Sequence, residues 1–235
     1  MYRDCQREID EIPFPQEHLE DLKRAGPLMI AATERDGLPI DTGSINLGKV
    51  DEDLDLALFF FYWIADTNQV IQNLNLVLAD MRALPTRYVL LDGSPRARYY
   101  LLVRTYFYEF YRFREIHHRV VKTASARGYI VQKEVPEIRK IFHDAFEVAI
   151  DLRNALVHSS PVWRGQRHFD LNLVGGAWER GQALQDCKTG KLWDIGDVLK
   201  DICQSTANDL ADEGRRMSMA LKGLVRIYVD VASKA

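Results

Sequence analysis

Four long stretches of this chain carry the periodicity of amphipathic helices. Apolar residues recur every three or four positions over residues 51–84, 95–122, 136–158 and 197–232, as they do on the buried face of a helix. Long helices are stable in water mainly when they bury these faces against one another. The sequence therefore predicts a mainly all-α fold built as a bundle of about four long helices.

The chain between the last two long helices has a different pattern. Residues 168–174 alternate between apolar and polar side chains, which is typical of a strand. Residues 182–186 and 191–195 flank a turn-like sequence at 187–190, and this arrangement is typical of a hairpin. We therefore expect a small β-hairpin insertion between the last two long helices.

The first fifth of the chain lacks long periodic stretches. Residues 1–15 are mostly polar and end in Pro13-Phe14-Pro15, and Gly26-Pro27 follows a short helical pattern and should end it. We expect residues 1–50 to form a lead-in packed on or beside the core, with its first 15 residues loosely attached. Residues 51–235 should form the helical domain.

Composition and charge restrict the classes of function. The chain has 235 residues, of which 47% are hydrophobic and 28% are charged, a globular balance. A net charge of −3 excludes a chain that binds nucleic acid through an overall basic character. Residues 81–140 nevertheless hold 13 Lys and Arg against 5 Asp and Glu. This basic segment can attract a polyanion or pair with the acidic first 80 residues, and the sequence leaves both open.

Several kinds of site are missing from the sequence. The three cysteines have no metal-ligand spacing and are odd in number, which favours a reducing, cytoplasmic location. The first residues lack the apolar core of a signal peptide. The most apolar run, residues 54–65, is shorter than the roughly 20 residues of a membrane span. Because phosphate-loop and zinc-helix motifs are also missing, we expect no membrane, no cofactor and no metal.

One stretch carries a pattern with a direct chemical meaning. The third helical segment ends with Arg153, Asn154 and His158, and Ser159-Ser160-Pro161 then stops it. RNA is cut without a metal when its own 2′-hydroxyl attacks the neighbouring phosphate. Histidine can move the protons of that reaction near neutral pH, arginine binds phosphate oxygens through its planar fork, and an amide can position the phosphate. These three residues are therefore the catalytic candidates.

This Arg-x4-His pattern at a helix end resembles the signature of the HEPN family, helical proteins many of which are metal-independent ribonucleases. The resemblance covers the motif and, more loosely, the frame from about residue 51 onward. It implies a HEPN-like endoribonuclease of a toxin–antitoxin or phage-defence system, with RNA as the substrate and an antitoxin or another protein as a partner. HEPN proteins commonly form homodimers in which two motifs converge in one cleft. This suits the motif here, because Arg153 and His158 would lie roughly 140° apart on one ideal helix.

Residues around the motif complete the predicted site. Glu109, set among aromatic residues, and Asp151 are candidates for orienting groups, because a partly buried carboxylate needs a partner. We expect Glu109 to pair with Arg153. The candidate RNA contacts are residues just past the motif and one from an aromatic, basic helix: Trp163, Arg164, Arg167 and Arg104.

Other interpretations fit the same residues. The negative end of a helix dipole favours Arg and His in the last turn without any function. The spacing also recurs in mid-helix at Arg112–His117, and we favour the copy that precedes a helix stop. An alternative function is a non-catalytic HEPN-like module that binds RNA or protein, or dimerises. A further alternative is a metal-dependent enzyme that uses His143, Glu147 and Asp151, each one turn apart.

Overall fold

A computed structural model describes residues 7–36, 52–158 and 165–232 of the chain. These described residues are mostly helical, with six α-helices and one two-stranded hairpin among them, so the prediction of a mainly helical fold is confirmed. The helices are α1 (Leu19–Asp36), α2 (Glu52–Arg87), α3 (Pro95–Ala126), α4 (Val135–His158), α5 (Gln166–Glu179) and α6 (Ile195–Ala232). Strand β1 (Leu184–Gln185) pairs with β2 (Leu192–Trp193) in antiparallel register. Within the described ranges, no helix combines the length and apolarity needed to cross a bilayer.

The core forms where α2 packs against both α3 and α6. The first third of α2 buries Phe59, Phe60 and Trp63, and Trp63 meets the ring of Tyr228 from α6 edge to face. A helix that is apolar on most of its circumference must be covered on more than one side. Helix α4 then packs on α3, and α5 packs on α6.

Helix α3 begins at Ser94-Pro95, which the sequence identifies as a helix start. Ser94 accepts a hydrogen bond from the backbone N–H of Ala97 at 3.1 Å, and Pro95 occupies the first helical position. Ser94 also donates a hydrogen bond to Glu179, and Arg96 lies 2.8 Å from the same carboxylate. The start of α3 is therefore tied to the end of α5.

The strand predicted over residues 168–174 is wrong, because this stretch is part of helix α5. The alternating signal came from Phe169, Leu171 and Leu173, but Phe169 and Leu173 are 59% and 48% exposed. The buried face instead follows helical spacing through Leu171 and Val174, which pack toward α6. The hairpin of β1 and β2 comes after α5 and directly before α6.

The lead-in is more firmly held than predicted over residues 7–15. Ile9 and Ile12 are 0% and 2% exposed, so loose attachment is wrong for this part of the chain. Helix α1 also continues through Pro27, where we expected an end. Pro27 lies on the exposed side of α1, where water can satisfy the carbonyl that its missing N–H leaves unpaired.

Candidate functional site

The predicted catalytic motif falls at the C-terminal end of α4. The helix runs to His158, and Arg153 and Asn154 precede it within the last two turns. The side chains of these three residues lie outside the described part of the structure, as do Trp163 and Arg164 altogether. The backbone is thus helical as far as His158, and the convergence of the three side chains stays a prediction.

Aromatic stacking holds the first half of α4 on α3. The ring of Phe142 lies almost parallel to the imidazole of His117, with 4.1 Å between centroids and 8° between planes. Phe146, one turn further along α4, lies 4.4 Å from Phe142 and meets Phe110 edge to face at 5.9 Å. Ring pairs in this range attract one another beyond the area that they bury, so this cluster sets the direction of α4.

His117 is a buried histidine without the usual polar partners. Its side chain is 1% exposed, and neither ring nitrogen makes a hydrogen bond in the described part of the chain. The pKa of His117 is lowered from 6.5 to about 4, mainly by burial and also by the nearby His118 and Arg139, while the backbone of Ile138 opposes the shift. His117 is therefore neutral at pH 7, and its ring stacks flat on Phe142 while both ring nitrogens stay without a hydrogen bond among the described residues.

The second copy of the Arg-x4-His spacing does not bring its two side chains together. Arg112 is exposed and lies 2.8 Å from the Glu109 carboxylate, whereas His117 is buried against Phe142 roughly 140° further round the helix. A phosphate that contacts Arg112 cannot reach the buried imidazole. The second copy is therefore not a joint phosphate site within one chain, and the preference for the Arg153 copy stays a prediction.

Glu109 joins α3 to α2. Its carboxylate accepts a hydrogen bond from Asn73 Nδ2 at 2.9 Å in addition to the ion pair with Arg112. Its predicted pairing with Arg153 involves a side chain outside the described part. Arg104 on α3 and Asp151 on α4 are exposed, so solvent and large ligands can reach both.

Arg167 lines a pocket of about 440 Å³ between the first turn of α5 and the middle of α6. Its Nε lies 2.9 Å from Asp201 Oδ2, and its Nη1 donates to the hydroxyl oxygen of Ser205 at 3.0 Å. His168 and Asp209 line the same pocket. The guanidinium is therefore fixed in direction, and part of its charge is offset by Asp201.

His168 stacks on an aromatic surface that the sequence did not lead us to expect. Its imidazole lies 6.2 Å from the ring of Tyr100 at an interplanar angle of 16°, and 5.9 Å from Tyr99. Burial lowers the pKa of His168 below its ordinary 6.5. The expected strand over residues 168–174 concealed this contact, although the tyrosine-rich sequence of α3 was its signal.

Known proteins offer no relative from which to transfer a function. No family model, curated protein or solved structure matches this chain. The candidate site is therefore interpreted from the chemistry of its own residues.

The alternative metal site gains no support from the described side chains. His143, Glu147 and Asp151 are all exposed on α4, and His143 lies 3.9 Å from its neighbour Asp144. Among the residues that the structure describes, no three His, Cys, Asp or Glu side chains are grouped so as to hold a metal ion. A solvated helix face accounts for these residues.

A second pocket, of about 260 Å³, opens between the hairpin and the first half of α6. Arg167 lies on its wall too, beside Lys191 and Trp193. The remaining charged side chains of the wall are all carboxylates: Asp170, Asp186, Asp194, Asp197 and Asp201. This wall repels a polyanion.

Proposed function

We propose that this chain is a HEPN-like, metal-independent endoribonuclease that acts as a homodimer. The observation that carries the proposal is the place of the motif: Arg153, Asn154 and His158 occupy the last turns of the long helix α4 in a mainly helical chain. The same proposal makes the protein a cytoplasmic component of a toxin–antitoxin or phage-defence system, with an antitoxin or similar protein as its partner. The HEPN-like bundle around the motif belongs to this proposal as well.

The proposed reaction is an internal transesterification of RNA. The 2′-oxygen forms a bond to phosphorus, the bond from phosphorus to the 5′-oxygen breaks, and a 2′,3′-cyclic phosphate and a 5′-hydroxyl remain. His158 takes the 2′-hydroxyl proton or returns a proton to the leaving 5′-oxygen. Arg153 stabilises the charge on the phosphorane oxygens, and Asn154 positions the phosphate. A two-fold axis near the ends of two α4 helices supplies the second copy of each group.

Residues at the start of α5 extend this site toward the bound strand. Arg167 follows the motif along the chain and is held in direction by Ser205 and Asp201. His168 and Tyr100 form a flat aromatic surface beside it, and such surfaces stack bases with little sequence preference. Trp163, Arg164 and Arg104 are the further proposed RNA contacts.

The test is cleavage of a mixed RNA pool by the purified protein in excess chelator. We expect cutting that leaves 2′,3′-cyclic phosphate ends, and we expect no cutting by the Arg153→Ala/His158→Ala double variant. The Arg216→Ala/His143→Ala double variant is the matched control, because it removes the same residue types from exposed positions away from the motif and should cut normally. Equal cutting by the motif variant, once it is shown to be folded, would refute the assignment.

A second candidate function is a non-catalytic module that binds RNA or protein. The aromatic surface of His168 and Tyr100 beside Arg167 favours it, because such a surface can hold a strand without any group that cuts it. This candidate predicts that RNA is retarded in a gel and recovered uncut. It also predicts that Arg167→Ala weakens this retention.

A further inference from the structure

Residues 8–12, named here the N-terminal segment, lie along the seam between α2 and α6. Side chains of α2 bind the segment on one side, and Arg215, Ser218 and Lys222 of α6 bind it on the other. In the described part of the chain, no backbone–backbone hydrogen bond joins the segment to either helix. The segment is thus held by side chains of helices whose own hydrogen bonds do not depend on it.

Two asparagines of α2 bind the backbone of the segment through the same pair of hydrogen bonds. The Asn75 side-chain oxygen accepts from the N–H of Ile9 at 3.0 Å, and its Nδ2 donates to the Ile9 carbonyl at 2.9 Å. The Asn68 side-chain oxygen accepts from the N–H of Ile12 at 2.7 Å, and its Nδ2 donates to the Ile12 carbonyl at 3.0 Å. Each amide therefore satisfies both polar groups of one peptide residue, as a neighbouring strand would.

The two asparagines bind residues of the segment that are three positions apart. Asn75 binds Ile9 and Asn68 binds Ile12, so the segment runs antiparallel to α2. The chain bends at Glu8 and Ile9, which lets both isoleucine side chains enter the same seam.

The side chains of the segment define which ligand fits best. Ile9 and Ile12 are buried in the seam, and Gly214 makes the room: a Cβ there would overlap the Ile9 side chain and lie 3.0 Å from the Tyr106 hydroxyl oxygen. Arg82 binds the Glu8 carboxylate through two contacts of 2.6 Å. The seam thus selects a carboxylate, an adjacent aliphatic residue and a second aliphatic residue three positions later.

The outer rim of the seam adds charge complementarity. Lys222 Nζ lies 3.5 Å from the Asp10 carboxylate, which is largely exposed. Arg215 donates to the carbonyl of Glu8 at 3.4 Å, and Gln72 of α2 donates to the Glu11 carboxylate at 3.0 Å. These contacts favour an acidic ligand over a neutral or basic one.

We propose that the seam between α2 and α6 is a binding site for an acidic peptide of a partner protein, with the pattern Glu-Ile-x-x-Ile, and that the N-terminal segment occupies it as an internal competitor. Main-chain hydrogen bonds supply affinity in this kind of peptide recognition, and side-chain pockets supply specificity. Here side chains of two helices provide the hydrogen bonds to the peptide backbone. The site is remote in sequence from the motif of α4 and does not depend on the proposed ribonuclease.

The first experiment measures fluorescence anisotropy of a labelled synthetic peptide with the sequence of residues 7–16, added to the full-length protein. The released variant, Ile9→Asp/Ile12→Asp, removes the internal competitor and leaves α2 and α6 unchanged. We expect it to bind the peptide about tenfold more tightly than the parent or better, because only the open fraction of the parent is competent to bind. Adding Asn68→Ala/Asn75→Ala to the released variant should abolish this gain. A peptide with serine at both isoleucine positions is the matched control and should not bind.

Two results of this experiment would overturn the proposal. One is a folded released variant, judged by its circular dichroism, that does not bind the peptide; the other is binding that persists without Asn68 and Asn75. Sedimentation provides a third: a dimer of the parent protein that dissociates on Asn68→Ala/Asn75→Ala would assign the seam to a second copy of this chain instead.

Hydrogen exchange of the parent protein tests the proposal even if the released variant does not fold. The amides of Ile9 and Ile12 should exchange through a local opening, at least tenfold faster than amides in the centre of α2 after correction for intrinsic rates. Exchange of both sets only through global unfolding would show that the segment never leaves the seam, and the proposal would fail.

Discussion

Replacing His117 with phenylalanine should remove an acid-sensitive weakness from the packing of α3 on α4. The pKa of His117 is about 4 in the folded protein, against an ordinary 6.5. The unfolded chain therefore takes up a proton below pH 6.5 that the folded chain accepts only near pH 4. The folded state therefore loses stability as the pH falls through this interval. Above pH 6.5 His117 is neutral in both states, and no stability is lost through it.

The size of the effect follows from the difference between the two pKa values. At about 1.4 kcal/mol per pKa unit, a shift from 6.5 to about 4 amounts to about 3 kcal/mol of unfolding free energy lost between those pH values. The phenylalanine ring can keep the stack on Phe142 and has no nitrogen to leave unsatisfied. An unpaired buried polar group costs about 1–3 kcal/mol. The His117→Phe protein should therefore regain part of that unfolding free energy at pH 7.

The assay is urea unfolding of the parent and His117→Phe proteins at intervals from pH 7 to pH 4. The difference in unfolding free energy between the two should grow by about 3 kcal/mol toward pH 4, because the other titrating groups are common to both. His143→Gln, at an exposed histidine of α4, is the control and should run parallel to the parent. Parallel curves for His117→Phe would refute the reasoning, since they would mean that His117 takes up protons equally in both states.

Three further substitutions or measurements test the packing. Gly214→Ala should lower the unfolding free energy by about 1–2 kcal/mol, because overpacking against Ile9 outweighs the gain in helix propensity. Gly223→Ala in the same helix has open space around it and should leave the unfolding free energy unchanged or raise it. Equal effects of the two substitutions in thermal unfolding would exclude this account. Ser94→Ala should cost about 1 kcal/mol through loss of the α3 cap, which urea titration can measure, and an unchanged midpoint would show that Pro95 alone starts the helix. Cys203 is buried, and burial raises its thiol pKa to about 12. After treatment with a thiol reagent, peptide mapping should find exposed Cys187 modified within minutes and Cys203 modified only after unfolding. Early modification of Cys203 would contradict its burial.

The sequence predicted the long helices well because their signals are local and repeated. Residues 51–84 and 95–122 were expected to be helical, and the structure has Glu52–Arg87 and Pro95–Ala126. Each of these helices combines a long apolar stripe with a start signal, such as Ser94 before Pro95. Over many turns, the helical period outweighs any single unfavourable residue.

The failures came from short segments whose structure depends on distant partners. Over residues 168–174, a strand and a helix both place Leu171 inside, and only the packing of α5 on α6 decides between them. The burial of Ile9 and Ile12 was equally hidden, because the amides that bind their backbone, Asn75 and Asn68, lie more than 50 residues away in the sequence. Contacts of this kind have no periodic signature.

The site itself was predictable only to the level of its motif. The periodic pattern predicted a helix as far as His158, and α4 extends that far. The approach of Arg153 to a phosphate stays a prediction from chemistry and resemblance. The partners of Arg167, in contrast, lie on α6, 34 and 38 residues further along the chain. Neither spacing nor composition pointed to Asp201 or Ser205.

The aromatic cluster in the first half of α4 determines where the far end of the helix lies. From Phe142 to His158 the helix extends for 16 residues, or about 24 Å. A rotation of about 5° at the stack of Phe142 on His117 would therefore displace the far end by about 2 Å. Displacements of about 1 Å can change catalytic rates by about a hundredfold. Replacing a ring of this cluster should therefore alter any reaction at the end of α4, although the cluster contacts no reacting atom.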